Sequence, residues 1–246
     1  MKNKFYYLNQ FILAITGMVS FSSLPGVISP AIAQEEIFLD YRTEEDYSMR
    51  TIRNSPALST KIRQQVFSQV VKKSDKACFG KLEPKIRDSA IGSFTKINTQ
   101  QIAYIVDLGD SCHSRYRGTL RLAIFNGDRL VIMDDITGYN RIKLVSDINE
   151  NGLDEITLEG GGMGQGIFVV SAKTMEATDL GITTLGIFPS VYGNNFTANR
   201  SPLSRSASVI SVKRNRLGKM IFVQERYDSA CTGQEPRIEC QDYELR

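Results

Sequence analysis

The residues of this chain that could do chemistry are concentrated in one short segment, 147–155. Oxygen-bearing side chains occupy its first, third, fifth and ninth positions, namely Asp147, Asn149, Asn151 and Glu155. Such side chains can converge on one hard cation if the backbone turns sharply, and Gly152 stands where that turn is needed. The spacing predicts a calcium loop. The alternative is a metal-free turn, because Asp and Asn also favour ordinary turns.

The residues around this loop predict that it lies between strands. An EF-hand needs a Glu at its twelfth position and helices on both sides, whereas the twelfth residue here is Leu158. The flanking segments 142–145 and 156–158 are apolar or alternating, which is typical of strands. The sequence therefore favours a calcium loop on a β scaffold over an EF-hand.

A weak internal repeat involves the same loop. Placing Ser93 over Asp147 brings Gln101 over Glu155, with the two copies 54 positions apart (147 minus 93). In the first copy the ligand positions carry residues without charge: Ser93, Thr95, Ile97 and Gln101. The first copy is thus predicted to keep the turn without holding an ion. The alternative is a chance match between two segments that each lead from a loop into a strand.

The pattern Asp147-x-Asn149-x-Asn151-Gly152-x-x-Glu155 resembles the calcium-binding loop of the FG-GAP/VCBS repeats, which occur in integrin-like β-propellers and many secreted bacterial proteins. The segment 92–95 resembles a degenerate start of the same unit, so units are expected near 92–108 and 146–172. The layout is also similar to that of small exported proteins of Gram-negative bacteria.

This resemblance implies calcium as the cofactor and a ligand set for it. The implied ligands are the side chains of Asp147, Asn149, Asn151 and Glu155 and the main-chain oxygen of Leu153. Glu155 stands where the family more often has Asp. A complete propeller needs several four-stranded blades, and this chain is too short for most of them. The implied fold is therefore a propeller-like or open antiparallel β-sheet assembly.

The N-terminus predicts export. Lys2 and Lys4 precede the mostly apolar segment 11–19, and Ala31 and Ala33 form a small-x-small cleavage site. Residues 1–33 are thus interpreted as a signal peptide, with cleavage near Ala33 and a periplasmic or secreted location. The apolar run is shorter than the roughly 20 residues of a membrane span, so no transmembrane anchor is expected in the mature chain.

The four cysteines are interpreted in that exported context, where an even number favours disulfides. Three pairings are possible. Proximity in the sequence favours Cys78 with Cys112 and Cys231 with Cys240.

The remaining pattern predicts a mainly β chain with one N-terminal helix. Residues 34–54 are interpreted as an extended lead-in and 55–246 as a single β-rich domain. A helix is expected near 56–73, because Ser55 and Pro56 suit a helix start and apolar residues follow at fourfold spacing. Strands are predicted over 102–108, 119–125, 129–134, 141–145, 155–158, 167–171, 207–212 and 219–227. Asn126-Gly127 predicts a two-residue hairpin, and the glycine-rich segment 160–166 a flexible loop near the ion.

Two functions from different classes are consistent with these features. The first is an exported calcium-binding, non-catalytic β-rich domain, structural or binding to an envelope or extracellular protein or polysaccharide. The alternative is a secreted hydrolase with a carboxylate-based site near 160–166. The single histidine, His113, excludes a multi-histidine zinc site. Without Lys2 and Lys4 the chain has 28 basic and 27 acidic residues, which gives no basis for nucleic acid binding.

Overall fold

The chain is mainly β, with one helix in the part that the structure describes. The computed structural model describes residues 36–43, 60–72, 84–110, 118–196, 202–215, 219–234 and 237–246. All of these belong to one compact unit, Ala33–Arg246. The predicted signal peptide, most of the lead-in, the start of the predicted helix, Cys78 and Cys112 lie outside the described residues.

The elements follow one another as a short strand, a helix and a long run of strands. They are β1 (Glu36–Asp40), α1 (Thr60–Val70), β2 (Lys85–Gly92), β3 (Gln101–Asp110), β4 (Gly118–Asn126), β5 (Arg129–Asp135), β6 (Arg141–Ser146), β7 (Glu155–Gly164), β8 (Ile167–Thr178), β9 (Gly181–Asn194), β10 (Leu203–Arg214), β11 (Met220–Gln234), β12 (Arg237–Cys240) and β13 (Glu244–Leu245). No described helix is long and apolar enough to cross a membrane.

The strands form two antiparallel sheets. The smaller has the order β2-β3-β4-β5, and the larger has the order β12-β11-β10-β9-β8-β7-β6, with β1 added to β10 and β13 to β11. Consecutive strands β2 to β5, and again β6 to β9, thus pair with their neighbours in chain order. In each of these four-strand units, the first and second strands are connected by one copy of the weak internal repeat: 93–101 in the first unit and 147–155 in the second.

The two four-strand units share a core. Phe94, Ile105 and Ile124 from the first unit and Ile156, Leu158 and Met175 from the second belong to one cluster, each at most 1% exposed. The pattern of β8 shows why these residues form strands: buried and half-buried side chains alternate along most of its length, as expected where successive side chains point to opposite faces. The shared core fixes the positions of both loops.

The larger sheet curls into an open half-barrel. Strand β10 pairs with β9 only over Arg205–Ala207, while β1 pairs with the later part of β10, at residues 209–212. Strand β6 is the opposite edge of the curled part. The Lys143 ammonium of β6 lies 5.2 Å from the ring centre of Tyr41, which directly follows β1. The edges β1 and β6 therefore approach each other.

Helix α1 packs on the smaller sheet through two buried valines. Val66 and Val70 are 1% and 0% exposed and contact the apolar cluster around Tyr104 and Phe125. Ile62, predicted to share this apolar stripe, is instead 38% exposed. Amides fix the helix to the β4–β5 hairpin: the Gln69 amide donates to the Asp128 carbonyl at 2.9 Å and accepts from the Leu130 N–H.

The glycine-rich segment is not the flexible loop that the sequence predicts. Gly160 to Gly164 are part of β7, and the hairpin turn consists of Gln165 and Gly166, whose φ angles are both positive (52° and 77°). Gly160 leaves no room for a side chain, since a Cβ there would lie 1.6 Å from the Gly138 carbonyl oxygen. The segment begins five residues along β7 from Glu155, roughly 17 Å at the usual rise per residue, so it is not close to the predicted calcium loop.

Other elements differ from the predictions in detail. The β4–β5 hairpin is present, but Asn126 pairs with Arg129, so its two-residue turn is Gly127-Asp128. Strands β2, β9, β12 and β13 are not among the predicted strands. The described part of the lead-in contains β1, which is hydrogen-bonded to β10 as an integral strand of the larger sheet.

Candidate functional site

The predicted calcium loop joins β6 to β7 and is closed by side-chain bonds to its own backbone. One carboxylate oxygen of Asp147 accepts from the Asn151 N–H at 3.0 Å and the other accepts from the Gly152 N–H at 2.8 Å. Gly152 has φ +86°, which favours glycine. The side-chain amide oxygen of Asn151 accepts from the Leu153 N–H at 2.7 Å. These are the contacts of an Asx-rich turn.

Glu155 is the most buried carboxylate of the loop. It is the first residue of β7 and is 1% exposed. One of its oxygens accepts from the Ile148 N–H at 2.6 Å, and the other accepts from the Asn149 side-chain amide. Burial above all, with the adjacent Glu176 and the charge of Asp147, raises the pKa of Glu155 from its ordinary 4.5 to about 7.

Glu176 belongs to this site, although the sequence analysis did not find it. It lies on β8, and its carboxylate accepts from the side-chain amides of Asn149 (2.5 Å) and Asn151 (2.9 Å). Ile156 pairs with Met175, so continuing the register by one residue places Glu155 opposite Glu176. The only signal for it in the sequence is that an acidic residue, Glu176, occurs on β8, the strand that follows β7.

The donor set is suitable for calcium. Calcium prefers carboxylate and amide oxygens at about 2.3–2.6 Å, and the loop together with Glu176 of β8 offers three carboxylates and two side-chain amides. The Asn149 amide nitrogen lies 2.5 Å from an oxygen of both Glu155 and Glu176, so these two oxygens are spaced closely enough to share one ligand.

The same residues are not arranged as a ready-made carboxylate cage. Within the described ranges, no three Asp, Glu, His or Cys side chains form a group that would hold a metal ion. The reason is that Asp147 is turned towards the loop backbone and the amide nitrogens, not the amide oxygens, face the carboxylates. To ligate an ion, Asn149 and Asn151 would have to rotate about their last side-chain torsion.

The first loop, between β2 and β3, contains a matching set of contacts. Gln101, the first residue of β3, is 1% exposed, as Glu155 is. Its side chain accepts from the Thr95 N–H at 2.7 Å and donates to the Thr95 hydroxyl at 2.8 Å. In both loops, therefore, the ninth residue is buried and bonded to the side chain of the third. Asn98, at the sixth position, has φ +55°, like Gly152 at its sixth position.

The structure also brings together two cysteines near the C-terminus. Cys231 and Cys240 are directly opposite each other in the pairing of β11 with β12, and their sulfurs are 2.04 Å apart. This is compatible with the disulfide that the sequence favours. Cys78 and Cys112 lie outside the described residues.

The structure contains two clefts whose lining includes neither Glu155 nor Glu176. One, of about 630 Å³, is lined by the ends of β9 to β11 and the C-terminal residues. The other, of about 910 Å³, is lined by β1, β6 and part of the 147–155 loop. Neither is lined by Gly160 to Gly164. Comparison of the chain with protein-family models, curated proteins and solved structures finds no match.

Proposed function

We propose that this chain is an exported, calcium-binding, non-catalytic β-rich domain. The observation that carries the proposal is the pair Glu155 and Glu176, whose carboxylates share one amide donor inside the fold. Among the described residues, no basic side chain contacts either of them. A buried carboxylate beside a second, half-buried one requires a proton or a cation, because adjacent negative charges repel and the buried one is poorly solvated.

The proposed ligands are the five residues implied by the resemblance together with Glu176. Glu155 supplies a buried carboxylate and Glu176 a half-buried one, Asp147 supplies a third carboxylate, and Asn149 and Asn151 supply amide oxygens after rotation. The Leu153 carbonyl completes the set. When bound, calcium supplies the two positive charges that this cluster lacks.

The arrangement of strands supports the proposed relationship to FG-GAP/VCBS repeats. Strands β2 to β5 and β6 to β9 are consecutive four-strand units, each with its loop between the first and second strands. The two loops share the buried ninth residue and the bond from the ninth residue to the third. We therefore propose that they are two units of one repeat, of which only the second retains the acidic ligands.

The location and partners are part of the same proposal. The N-terminal pattern favours export to the periplasm or the cell exterior, and a disulfide between Cys231 and Cys240 would be stable in such an oxidising compartment. There the domain would act structurally or bind an envelope or extracellular protein or polysaccharide. The hydrolase alternative gains no support, because Glu159, next to the glycine-rich segment, is ion-paired with Arg141 and Lys143.

Thermal unfolding of the full chain in calcium and in chelator at pH 8 tests the proposal. A site with a dissociation constant of about 10⁻⁴–10⁻³ M stabilises the fold by about 1.4–2.7 kcal/mol in 10 mM calcium. For a domain of this size the expected rise in Tm is about 3–10 °C.

Matched variants assign the effect to the site. Glu155→Gln and Glu176→Gln should lose most of the rise, whereas Glu150→Gln should keep it, because Glu150 is 80% exposed on the same loop. An unchanged Tm of the native chain between calcium and chelator would remove the calcium proposal.

A further inference from the structure

The groove between the edges of the half-barrel has the features of a binding surface. We call this groove the seam; its volume is about 910 Å³. It is lined by Glu36, Ile37 and Phe38 of β1, by Leu144 and Ser146 of β6, by Asp147, Ile148 and Glu150 of the loop and by Val212 and Arg214 of β10.

Two strand edges border the seam. In the described residues, β1 pairs as a strand only with β10 and β6 only with β7, and the Ile142 N–H of β6 donates to the Asp88 carboxylate of β2. The edge of β1 and the part of β6 beyond Ile142 therefore present backbone N–H and C=O groups that can pair with an added strand. The edges are bridged at one end by Lys143 over the Tyr41 ring, and near the other Arg214 of β10 bonds to Glu150 and to the Asn149 carbonyl.

The seam is lined by polar and apolar side chains, and the apolar ones include Ile37, Phe38 and Leu144. Ile37 is 60% exposed, although it is part of the larger sheet. Phe38 and Leu144 are half-buried and pack against the core cluster of the half-barrel from the same side. An exposed apolar lining next to free strand edges suits alternate side chains of an added strand.

The rim of the seam is acidic. Its charged residues are Glu36, Asp147 and Glu150 against Arg214, a net charge of −2 (1 minus 3). Arg214 is ion-paired with Glu150 at 3.2 Å, which leaves Glu36 and Asp147 as the uncompensated charges. A ligand that complements this rim is basic.

We propose that the seam takes up an extended peptide segment of a partner protein, in which apolar residues alternate with Lys or Arg. The inference names a partner class for the binding role and so rests on the proposed function, but it does not need calcium. Since β1 has five residues, a peptide segment of about five residues would pair along its whole length. A second copy of this chain fits less well, because two acidic rims repel.

Fluorescence anisotropy with three labelled octapeptides tests the inference on the full chain. The probes are Lys-Val, Glu-Val and Lys-Pro, each repeated four times; the last keeps the charge but lacks the N–H groups that a strand needs at every second residue. We expect Lys-Val to bind at least tenfold more tightly than the other two. Bound peptide should also slow amide hydrogen exchange in β1. Equal binding of Glu-Val or of Lys-Pro would overturn the inference.

Matched surface variants locate the binding. Ile37→Asn and Glu36→Lys should each weaken Lys-Val binding at least fivefold. Ile187→Asn on β9 and Glu239→Lys on β12 should leave it unchanged, because Ile187 is equally exposed (62%) and Glu239 is exposed, both outside the seam. All four are surface changes, and a thermal melt checks that each folds. Unchanged binding in both seam variants overturns the inference. It is also overturned if the native chain binds no peptide but self-associates, and if Ile37→Asn abolishes that self-association.

Calcium separates this inference from the proposed function. Isothermal titration with calcium alone tests the metal, and peptide titration in chelator tests the seam. Peptide binding without calcium binding removes only the calcium proposal, and calcium binding without peptide binding removes only the seam. If both bind, calcium should weaken Lys-Val binding by about two- to fivefold, because it adds positive charge beside Asp147.

Discussion

Ser93 and Asp154 hydrogen-bond each other twice and thereby join the two loops. The Ser93 N–H donates to the Asp154 carboxylate at 2.6 Å, and the Asp154 N–H donates to the Ser93 carbonyl at 2.9 Å. Beside this pair, Ile97 of the first loop covers Gly152 of the second, at 3.1 Å from where a Cβ would be. The two loops thus form one structural element at the edge of both sheets.

Removing the carboxylate of this pair should loosen both loops. Asp154→Ala leaves the Ser93 N–H without its acceptor, which should lower the free energy of unfolding by about 1–3 kcal/mol. Asp154→Asn keeps an acceptor oxygen and should lose less than half as much. Urea unfolding of the three proteins measures the difference, and equal midpoints for Asp154→Ala and the native chain would contradict it.

Glu155 should make the calcium-free protein less stable as the pH rises. Its pKa is about 7 in the fold and 4.5 ordinarily, so between these values the folded state holds a proton that the unfolded chain has released. Stability therefore falls from pH 4.5 to 7 and is flat above, by at most on the order of 3 kcal/mol. Urea unfolding at intervals from pH 4.5 to 8.5 in calcium-free buffer measures this slope.

The control for the pH slope is Glu155→Gln, which cannot titrate. The difference between the native chain and this variant isolates Glu155 from the other carboxyl groups, and a constant difference over this window would contradict the expectation. Calcium should act with the opposite sign, because it binds the deprotonated carboxylate. Its stabilising effect should grow as the pH rises through 7.

Gly160 should tolerate no side chain. A Cβ there would lie 1.6 Å from the backbone oxygen of Gly138, so Gly160→Ala must displace the β5–β6 connection and should cost about 3 kcal/mol or more. Gly162→Ala is the matched control two residues along the same strand, where a Cβ would meet nothing within 4 Å. Thermal unfolding should separate the two variants clearly. Similar melting temperatures would show that the contact is not restrictive.

The cysteine pair of β11 and β12 should stabilise the C-terminal end. Nine positions separate Cys231 from Cys240, and a bond that closes so short a loop contributes about 2–3 kcal/mol. The double variant Cys231→Ser, Cys240→Ser should lose that amount in thermal unfolding. A reductant should lower the Tm of the native chain by more than that of the variant; an equal effect on both would contradict the bond.

The sequence predicts the strands whose signal is local. Strands β3, β4 and β5 were each predicted to within two residues at either end, because β-branched and aromatic residues are concentrated there and turn residues bound them. Strand β9 escapes prediction, since Gly186, Pro189 and Gly193 interrupt its pattern, and it is held by pairing with β8 on one side. The glycines of β7 are typical of a loop, yet Gly160 is required by a backbone 22 positions earlier (160 minus 138).

The candidate site was predictable only where its residues are close in the chain. Asp147, Asn149 and Asn151 lie on one loop, and their spacing alone predicted that they act together. Glu176 is 21 positions from Glu155 (176 minus 155), and it is brought there by the register of β7 with β8. Register depends on the whole hydrophobic pattern of both strands and cannot be read from the loop itself.

The side chains of Gln101 and Glu155, the buried ninth residues of the two loops, differ by one heavy atom. Gln101 has an amide nitrogen where Glu155 has an oxygen, so Gln101 completes its own bonds with Thr95 and never changes charge. Gln101 therefore neither titrates nor offers a charge to a metal ion, whereas Glu155 has a pKa of about 7 and is a proposed calcium ligand. A change of pH should consequently act first on the loop between β6 and β7 and reach the loop between β2 and β3 through the bonds of Ser93 with Asp154.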